Sequence, residues 1–374
     1  MDDKRKNQRF FSNIGIIGCG NISNIYLKNL SVFEGVHLVA CADLDMARAH
    51  EKAAEFGIEA WQTDKLLNST EIDIVVNLTV PKAHAEINFA ALNAGKHVYT
   101  EKPLAVTRAD GQKTLALAKE KGLRVGGAPD TFLGAGLQTC RRLIDEGAIG
   151  IPVAAVAFMQ SRGPEAWHPA PEPFYQVGGG PMFDIGPYYL TALVNLLGPV
   201  GRVTGASRIS IPERKVGSMP RRGEKFVVDT PSHVAGLLDF ESGPIGTIIM
   251  SFDVWAHNLP RIEIYGSEGS LQVPDPNTFR GPIFLSKVGE SEWTEIPVDA
   301  GYTVNSRGLG VADMAAAVRE DRAHRANGDL TYHVLDVMHA VNDASQASQH
   351  IEIDSQCPRP EPMPGGFAFG ELEE

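Results

Sequence analysis

Asn13-Ile14-Gly15-Ile16-Ile17-Gly18-Cys19-Gly20-Asn21-Ile22-Ser23 is the stretch that decides the fold. A short β-branched run leads straight into two glycines one residue apart, and a helical pattern opens behind them. Strand, glycine turn and helix in that order are the setting in which G-x-G-x-x-G holds a dinucleotide. Gly18 permits the tight turn, and Gly20 lets the backbone approach a pyrophosphate whose charge rests on the helix N-terminus. Ser23 stands in the third position and is small enough for close helix-strand packing. Gly18, Cys19, Gly20, Asn21 and Ile22 are therefore the first expected cofactor contacts.

Outward from this loop the same alternation continues. Strand-like runs at residues 36–40, 72–77, 97–99 and 123–125 are separated by helix-like stretches at 46–56, 84–93 and 109–121. Continuous apolar strands between amphipathic helices predict a parallel sheet covered on both faces. Residues 1–128 are thus expected to form an α/β Rossmann domain. Beyond them the pattern changes to a helix at 137–146, a long strand at 153–160, a Pro/Gly-rich loop at 163–180 and a helix at 184–197. Strand-like runs at 234–240, 246–252, 261–265 and 270–273 then follow one another across short turns such as Ser242-Gly243-Pro244 and Ser267-Glu268-Gly269. Short turns between consecutive strands predict a mainly antiparallel sheet. Helices at 309–326 and 332–349 complete an α+β domain over residues 129–374.

An acid, Asp43, ends the second strand about 20 residues after the loop, where a carboxylate accepts from the adenosine ribose hydroxyls and repels a 2′-phosphate. NAD is expected over NADP. Arg48, at the start of the next helix, is the residue that could argue for a phosphate. Asp45 competes with Asp43 as the helix cap.

The chain has 374 residues, 43% of them hydrophobic, and a net charge of −12. That charge argues against a broad nucleic-acid-binding face. No stretch reaches the roughly 20 apolar residues of a membrane span. Residues 1–9 are charged and carry no apolar signal core, so a cytoplasmic protein without membrane partners is expected. Cys19, Cys41, Cys140 and Cys357 are scattered, which predicts reduced, buried thiols, and His324, His333 and His339 lack a carboxylate cluster, so no metal is assigned.

Three motifs in order, the glycine loop, Glu101-Lys102-Pro103 and Gly178-Gly179-Gly180-Pro181-Met182-Phe183-Asp184-Ile185-Gly186-Pro187-Tyr188, resemble the Gfo/Idh/MocA family of sugar and inositol oxidoreductases over nearly the whole chain. The resemblance implies NAD-linked oxidation of a secondary hydroxyl on a sugar, cyclitol or glycoside, with Lys102 at the reacting hydroxyl and a Lys-Pro bond that is commonly cis. Many members have His where this chain has Tyr188. A phenol with a pKa of ~10 needs a nearby cation to accept a proton at neutral pH, so Lys102 is expected to lower it, with Asp184 orienting both. Lys102 itself, beside an oxidised nicotinamide in low dielectric, is expected to be depressed.

Thr79, His84 and Glu101 are further candidates for the cofactor, and Asp130, Trp167 and His168 for a polyhydroxy substrate; Arg307 could reach the same pocket. Two rivals remain open: an NAD-dependent glycosidase working by transient oxidation, and a non-catalytic nucleotide sensor that would have no use for Lys102, Asp184 and Tyr188 together. The second domain's sheet has few helices to cover one face, which predicts a homodimer or homotetramer through it.

Overall fold

The computed structural model describes residues 11–298 and 301–372; the charged stretch 1–9 lies outside them. The first domain runs β1 (Ser12–Ile17), α1 (Ser23–Leu30), β2 (Val36–Ala42), α2 (Met46–Phe56), β3 (Glu59–Ala60), α3 (Thr63–Asn68), β4 (Ile74–Asn77), α4 (Pro81–Asn93), β5 (His97–Thr100), α5 (Arg108–Lys121) and β6 (Val125–Gly127). All six strands are parallel, in the order β3-β2-β1-β4-β5-β6. The chain leaves β1 toward β2 and returns to β4 on its other side. The crevice above the carboxyl ends of β1 and β4 is therefore the switch point, where open α/β sheets bind ligands.

The second domain comprises α6 (Ala135–Asp145), β7 (Pro152–Gln160), α7 (Gly180–Asp184), α8 (Gly186–Leu197), β8 (Val200–Arg208), β9 (Glu213–Lys215), β10 (Lys225–Val227), β11 (His233–Phe240), β12 (Ile245–Ser251), β13 (Ile262–Gly266), β14 (Gly269–Val273), β15 (Ile283–Lys287), β16 (Thr294–Ile296), α9 (Leu309–Glu320), α10 (Gly328–Ala347) and β17 (Ile351–Glu352). Nine of its strands form one sheet, β16-β15-β14-β13-β7-β12-β11-β8-β17, antiparallel except for β7 beside β12. Helices α6, α8 and α10 lie on one face, against β14, β7 and β8 respectively. Inward residues such as Val234, Leu238, Ile248 and Met250 are buried, whereas Leu237 and Ile245, on the other face, are 46% and 55% exposed.

Several expected boundaries move: the helix expected over 309–326 ends at Glu320, and the one expected over 84–93 begins at Pro81. The helix expected over 184–197 is two helices broken at Ile185. Pro187 has no N–H to give the carbonyl four residues back, so an unbroken helix loses a bond there, whereas Pro187 fits the first turn of α8. The expected strand at 123–125 begins later, because Leu123 still donates to Ala118 as α5 closes over a left-handed Gly122. The last long helix starts at Gly328, capped by the Asn327 side chain, which accepts from the Leu330 amide.

Among the described residues, no helix is long and apolar enough to cross a membrane, and no cluster of three His, Cys, Asp or Glu side chains gathers as a metal site. All four cysteines are free and buried.

Candidate active site

The glycine loop sits at the switch point, and at its first position only glycine fits. Gly18 has φ +105°, and a Cβ on it would lie 2.6 Å from the Leu78 backbone; a Cβ on Gly20 would meet nothing within 4 Å. The first glycine thus allows the loop to touch the end of β4, and the second faces open space. No hydrogen bond within the described residues engages the amides of Gly20, Asn21 or Ile22, and α1 begins without a side-chain cap or an acid in its first turn. Unpaired N–H groups at the positive end of a helix fit a pyrophosphate.

Asp43 follows β2 and stands half-exposed beside the loop. Its carboxylate accepts from the Cys19 amide at 2.7 Å and the Asp45 amide at 2.8 Å. Each oxygen keeps a lone pair for a ribose hydroxyl. The helix cap is Asp45, which accepts from Ala47. Arg48 is exposed and paired with Asp45 at 3.4 Å, which points its charge back at its own helix. Cys19 holds Asp43 through its amide, and its thiol is buried.

Lys102 leaves the carboxyl end of β5 on a cis Lys102-Pro103 bond. Its ammonium donates to Asp184 Oδ1 at 2.7 Å and to the Asp184 carbonyl at 2.6 Å. It also stands 5.5 Å from the centre of the Tyr188 ring, and the Arg307 guanidinium lies 5.9 Å from the same ring. The break at Ile185 places Asp184 at the end of α7 and Tyr188 in the first turn of α8. The three expected catalytic residues, together with Arg307, therefore meet at one point.

Their charge states differ from those expected. Burial opposes the Lys102 charge, but Asp184, Tyr188 and Glu101 outweigh it and hold the ammonium above its ordinary range. Burial raises the Tyr188 phenol, and Lys102 and Arg307 offset only part of that rise. Both groups are proton donors at neutral pH. The expectation of an acidified phenol is corrected accordingly, since burial prevails over two cations; at Lys102 the nearest carboxylate prevails over burial, so low dielectric alone does not depress the lysine.

Several candidates support the site from beneath rather than lining it. Glu101, 8% exposed, accepts from the Tyr26 hydroxyl at 2.8 Å and the Lys102 amide at 3.0 Å, which ties it to the base of the site. His84, 1% exposed, has one ring nitrogen 2.7 Å from the Pro103 carbonyl and the other 3.0 Å from that of Thr79; burial lowers its pKa although both carbonyls favour the cation. It ties the Lys102-Pro103 segment to the end of β4. Thr79 bonds Asn77 through its amide and hydroxyl and stays half-exposed beside the glycine loop. Asp130, 1% exposed, accepts from the Gly308 and Gly310 amides at 2.8 and 3.0 Å; it caps α9 and has no surface to offer a substrate.

Asp184 also borders a cleft of about 500 Å³ walled by Trp167, Phe174, Tyr189, Arg261 and Asn277. Trp167 is 68% exposed there. His168 stands outside the cleft, edge-on between Trp167 and Phe174 with its Nδ1 on the Ala170 amide, and shapes the loop. Tyr26 and Asn277 were not foreseen. Asn277 receives the Arg307 guanidinium at 2.5 Å and so fixes the cation beside Tyr188.

Residues 12–127 match the model described as the oxidoreductase family with an NAD-binding Rossmann fold, and residues 137–272 match the GFO/IDH/MocA C-terminal domain. The chain is 34% identical over 146 residues to inositol 2-dehydrogenase of Salmonella typhimurium, an alignment covering 37% of this chain and 43% of that enzyme. It thus spans less than half the length of the inositol 2-dehydrogenase. It is 28% identical over 350 residues to 1,5-anhydro-D-fructose reductase of Ensifer adhaerens, covering 91% and 98% of the two chains. Among solved structures, an NAD binding oxidoreductase from Klebsiella pneumoniae superimposes with a TM-score of 0.80 at 22% identity, over 93% of this chain and all of that one. Levoglucosan dehydrogenase in complex with NADH and L-sorbose does so with the same TM-score and coverage at 20% identity, a likeness of fold. Two domain matches in the right order, on a chain whose glycine loop and Lys102–Asp184 pair meet at the switch point, establish that this protein belongs to the Gfo/Idh/MocA oxidoreductase family.

Proposed function

We propose that the protein is an NAD-dependent oxidoreductase that moves hydride between the nicotinamide and a secondary hydroxyl of a sugar, cyclitol or glycoside. The observation that carries this reading is the Lys102–Asp184 pair, which joins the carboxyl edge of the Rossmann sheet to the cleft of the second domain. Bound NAD supplies the hydride acceptor. The Gly20, Asn21 and Ile22 amides hold its pyrophosphate, and Asp43 takes the ribose hydroxyls and disfavours NADP. Lys102 donates to the substrate oxygen and stabilises the negative charge that develops there, in a site where a fixed cation acts far more strongly than in water. Its other two protons point at Asp184, one at Oδ1 and one at the carbonyl, so in the oxidative direction Lys102 yields the Oδ1 proton to the carboxylate and takes up the hydroxyl proton in its place. Tyr188 serves as a neutral second donor. In carbonyl reduction the same two donors are already protonated.

A panel of sugars, inositols and glycosides assayed for NAD reduction at 340 nm tests the reading. NADH formation from at least one member, faster with NAD than with NADP, is the expected result. No turnover with any member, in either direction, would leave only nucleotide sensing. Release of free aglycone without accumulating NADH would instead mark the glycosidase route.

The uncovered sheet face around Leu237 and Ile245 supports a homodimer or homotetramer. Light scattering should return a multiple of 40.4 kDa. The mass of a single chain at micromolar concentration would sink the assembly.

A further inference from the structure

A second cleft, of about 410 Å³, adjoins the first. Arg162, Ala166 and Phe252 line both, so the two form one groove whose far end lies against β9 and whose near end reaches Asp184. Four cations line the far cleft: Arg162, Arg214, Lys215 and Arg222. Its anions are already engaged. Glu165 and Asp253 both pair with Arg214, and Glu213 pairs with Lys225 at 2.7 Å. Among the described residues Arg162, Lys215 and Arg222 have no carboxylate partner. The Arg162 guanidinium stands 5.6 Å from the centre of the Trp255 ring, which is 82% exposed, so the contact orients this cation without neutralising it. Arg214, 6% exposed, is held rigidly as the base of the cleft, and its Nε is buried with no hydrogen-bond partner. The Glu165–Arg214–Asp253 trio keeps one negative charge, and the three cations without a carboxylate partner still leave the concavity positive in a chain of net charge −12, a local attraction for anions.

We propose that this cleft is a phosphoryl subsite: the substrate is a phosphorylated sugar, whose sugar ring lies in the cleft beside Asp184 and whose phosphate or diphosphate is held by Arg162, Lys215 and Arg222. Arginine forks match phosphate oxygens bidentately, and lysine adds a point charge. The groove is large enough for a ligand longer than a monosaccharide. This inference rests on the oxidoreductase reading and narrows its substrate class.

The test is calorimetric titration of NADH-saturated protein with inorganic pyrophosphate, the dinucleotide loop being blocked. Saturable binding that weakens with salt, and weakens at least ~10-fold in the Lys215→Ala/Arg222→Ala double variant, is expected. Binding weaker than about 1 mM, or equal affinity in the double variant, overturns the subsite. NADH fluorescence titration and thermal melts of the same samples report on folding and on the dinucleotide site. Failure to bind NADH therefore refutes the oxidoreductase reading, and failure to bind pyrophosphate with NADH binding intact refutes the subsite alone. In the substrate panel, a sugar phosphate should show a KM at least ~10-fold below that of its unphosphorylated parent. Equal KM values would again overturn the proposal.

Discussion

Replacing Asp184 with Asn removes the anion beside Lys102 and keeps almost the same shape. The ammonium and carboxylate are 2.7 Å apart, with side chains 16% and 21% exposed. At an effective dielectric of about 20, and with the carboxylate charge spread over two oxygens, such a pair corresponds to roughly 5 kcal/mol. The Asp184 carbonyl still accepts from Lys102 in the variant, so a loss of ~3 to 5 kcal/mol at pH 7 is expected, as for other buried pairs that lose one partner. The sign of the pH dependence follows from Lys102. In the native protein its folded pKa is raised, so its contribution is complete below the unfolded value of ~10.4 and is lost as pH rises through the folded one. In the variant Glu101 is the carboxylate left to oppose burial, so the folded pKa falls well below its native position and Lys102 releases its proton at lower pH than in the native protein. The gap between the proteins is therefore widest near neutrality and narrows as pH climbs from ~8 to ~10. Because the comparison is a difference, the buried tyrosines that also titrate at high pH cancel. Urea denaturation followed by tryptophan fluorescence at several pH values measures it. A gap below ~1 kcal/mol at pH 7, or one that stays constant to pH 10, refutes the electrostatic account of this pair.

Three further outcomes follow from the same structure. Tyr188→Phe removes a neutral donor, not the proton acceptor, so turnover should fall ~10²-fold with the pH profile unchanged; a lost ionisation in that profile would restore the phenol as acceptor. Burial pulls His324 down to about 4, so its contribution is present above ~6.5 and lost as pH falls toward 4, and His324→Gln should flatten the stability-pH curve there by about 3 kcal/mol in urea titrations. Asp130 is pushed up to about 6 from 3.8, by burial against the Gly310 amide, Arg307 and the Gly308 amide; its folded form therefore keeps a proton the unfolded chain has released, and stability is lost between those values. Asp130→Asn should gain on the native protein by about 3 kcal/mol as pH rises across that window, read from paired thermal melts.

The parts of this molecule that are local in sequence were legible in it. Gly18, Gly20 and Asp43 announce the dinucleotide crevice because the turn, the backbone approach and the ribose partner each demand a residue type at a short, set distance from β1. The antiparallel second sheet was readable from its turn residues. The Ile185 break is readable too, since Pro187 costs a hydrogen bond inside an unbroken helix, and the early start of α10 is signalled by Asn327 ahead of Gly328-Asp329. What could not be read depends on partners far apart in the chain. Lys102 and Asp184 are separated by 82 residues, and Tyr26 and Glu101 by 75. No local pattern tells whether a buried lysine faces a carboxylate or only a low dielectric, and that single contact decides the direction of its pKa. Asp130 misled for the same reason: the amides it caps belong to Gly308 and Gly310, at the other end of the second domain.

The most direct test of the account is single-turnover NADH formation by native protein and by Lys102→Ala, with the best substrate from the panel and with cofactor affinity measured alongside. If Lys102 is the donor at the reacting oxygen, the variant should lose ~10³-fold or more in the rate of hydride transfer, about 4 kcal/mol of barrier, while NADH binds as before. A variant that forms NADH within about threefold of the native rate contradicts the account and places the chemistry elsewhere in the cleft.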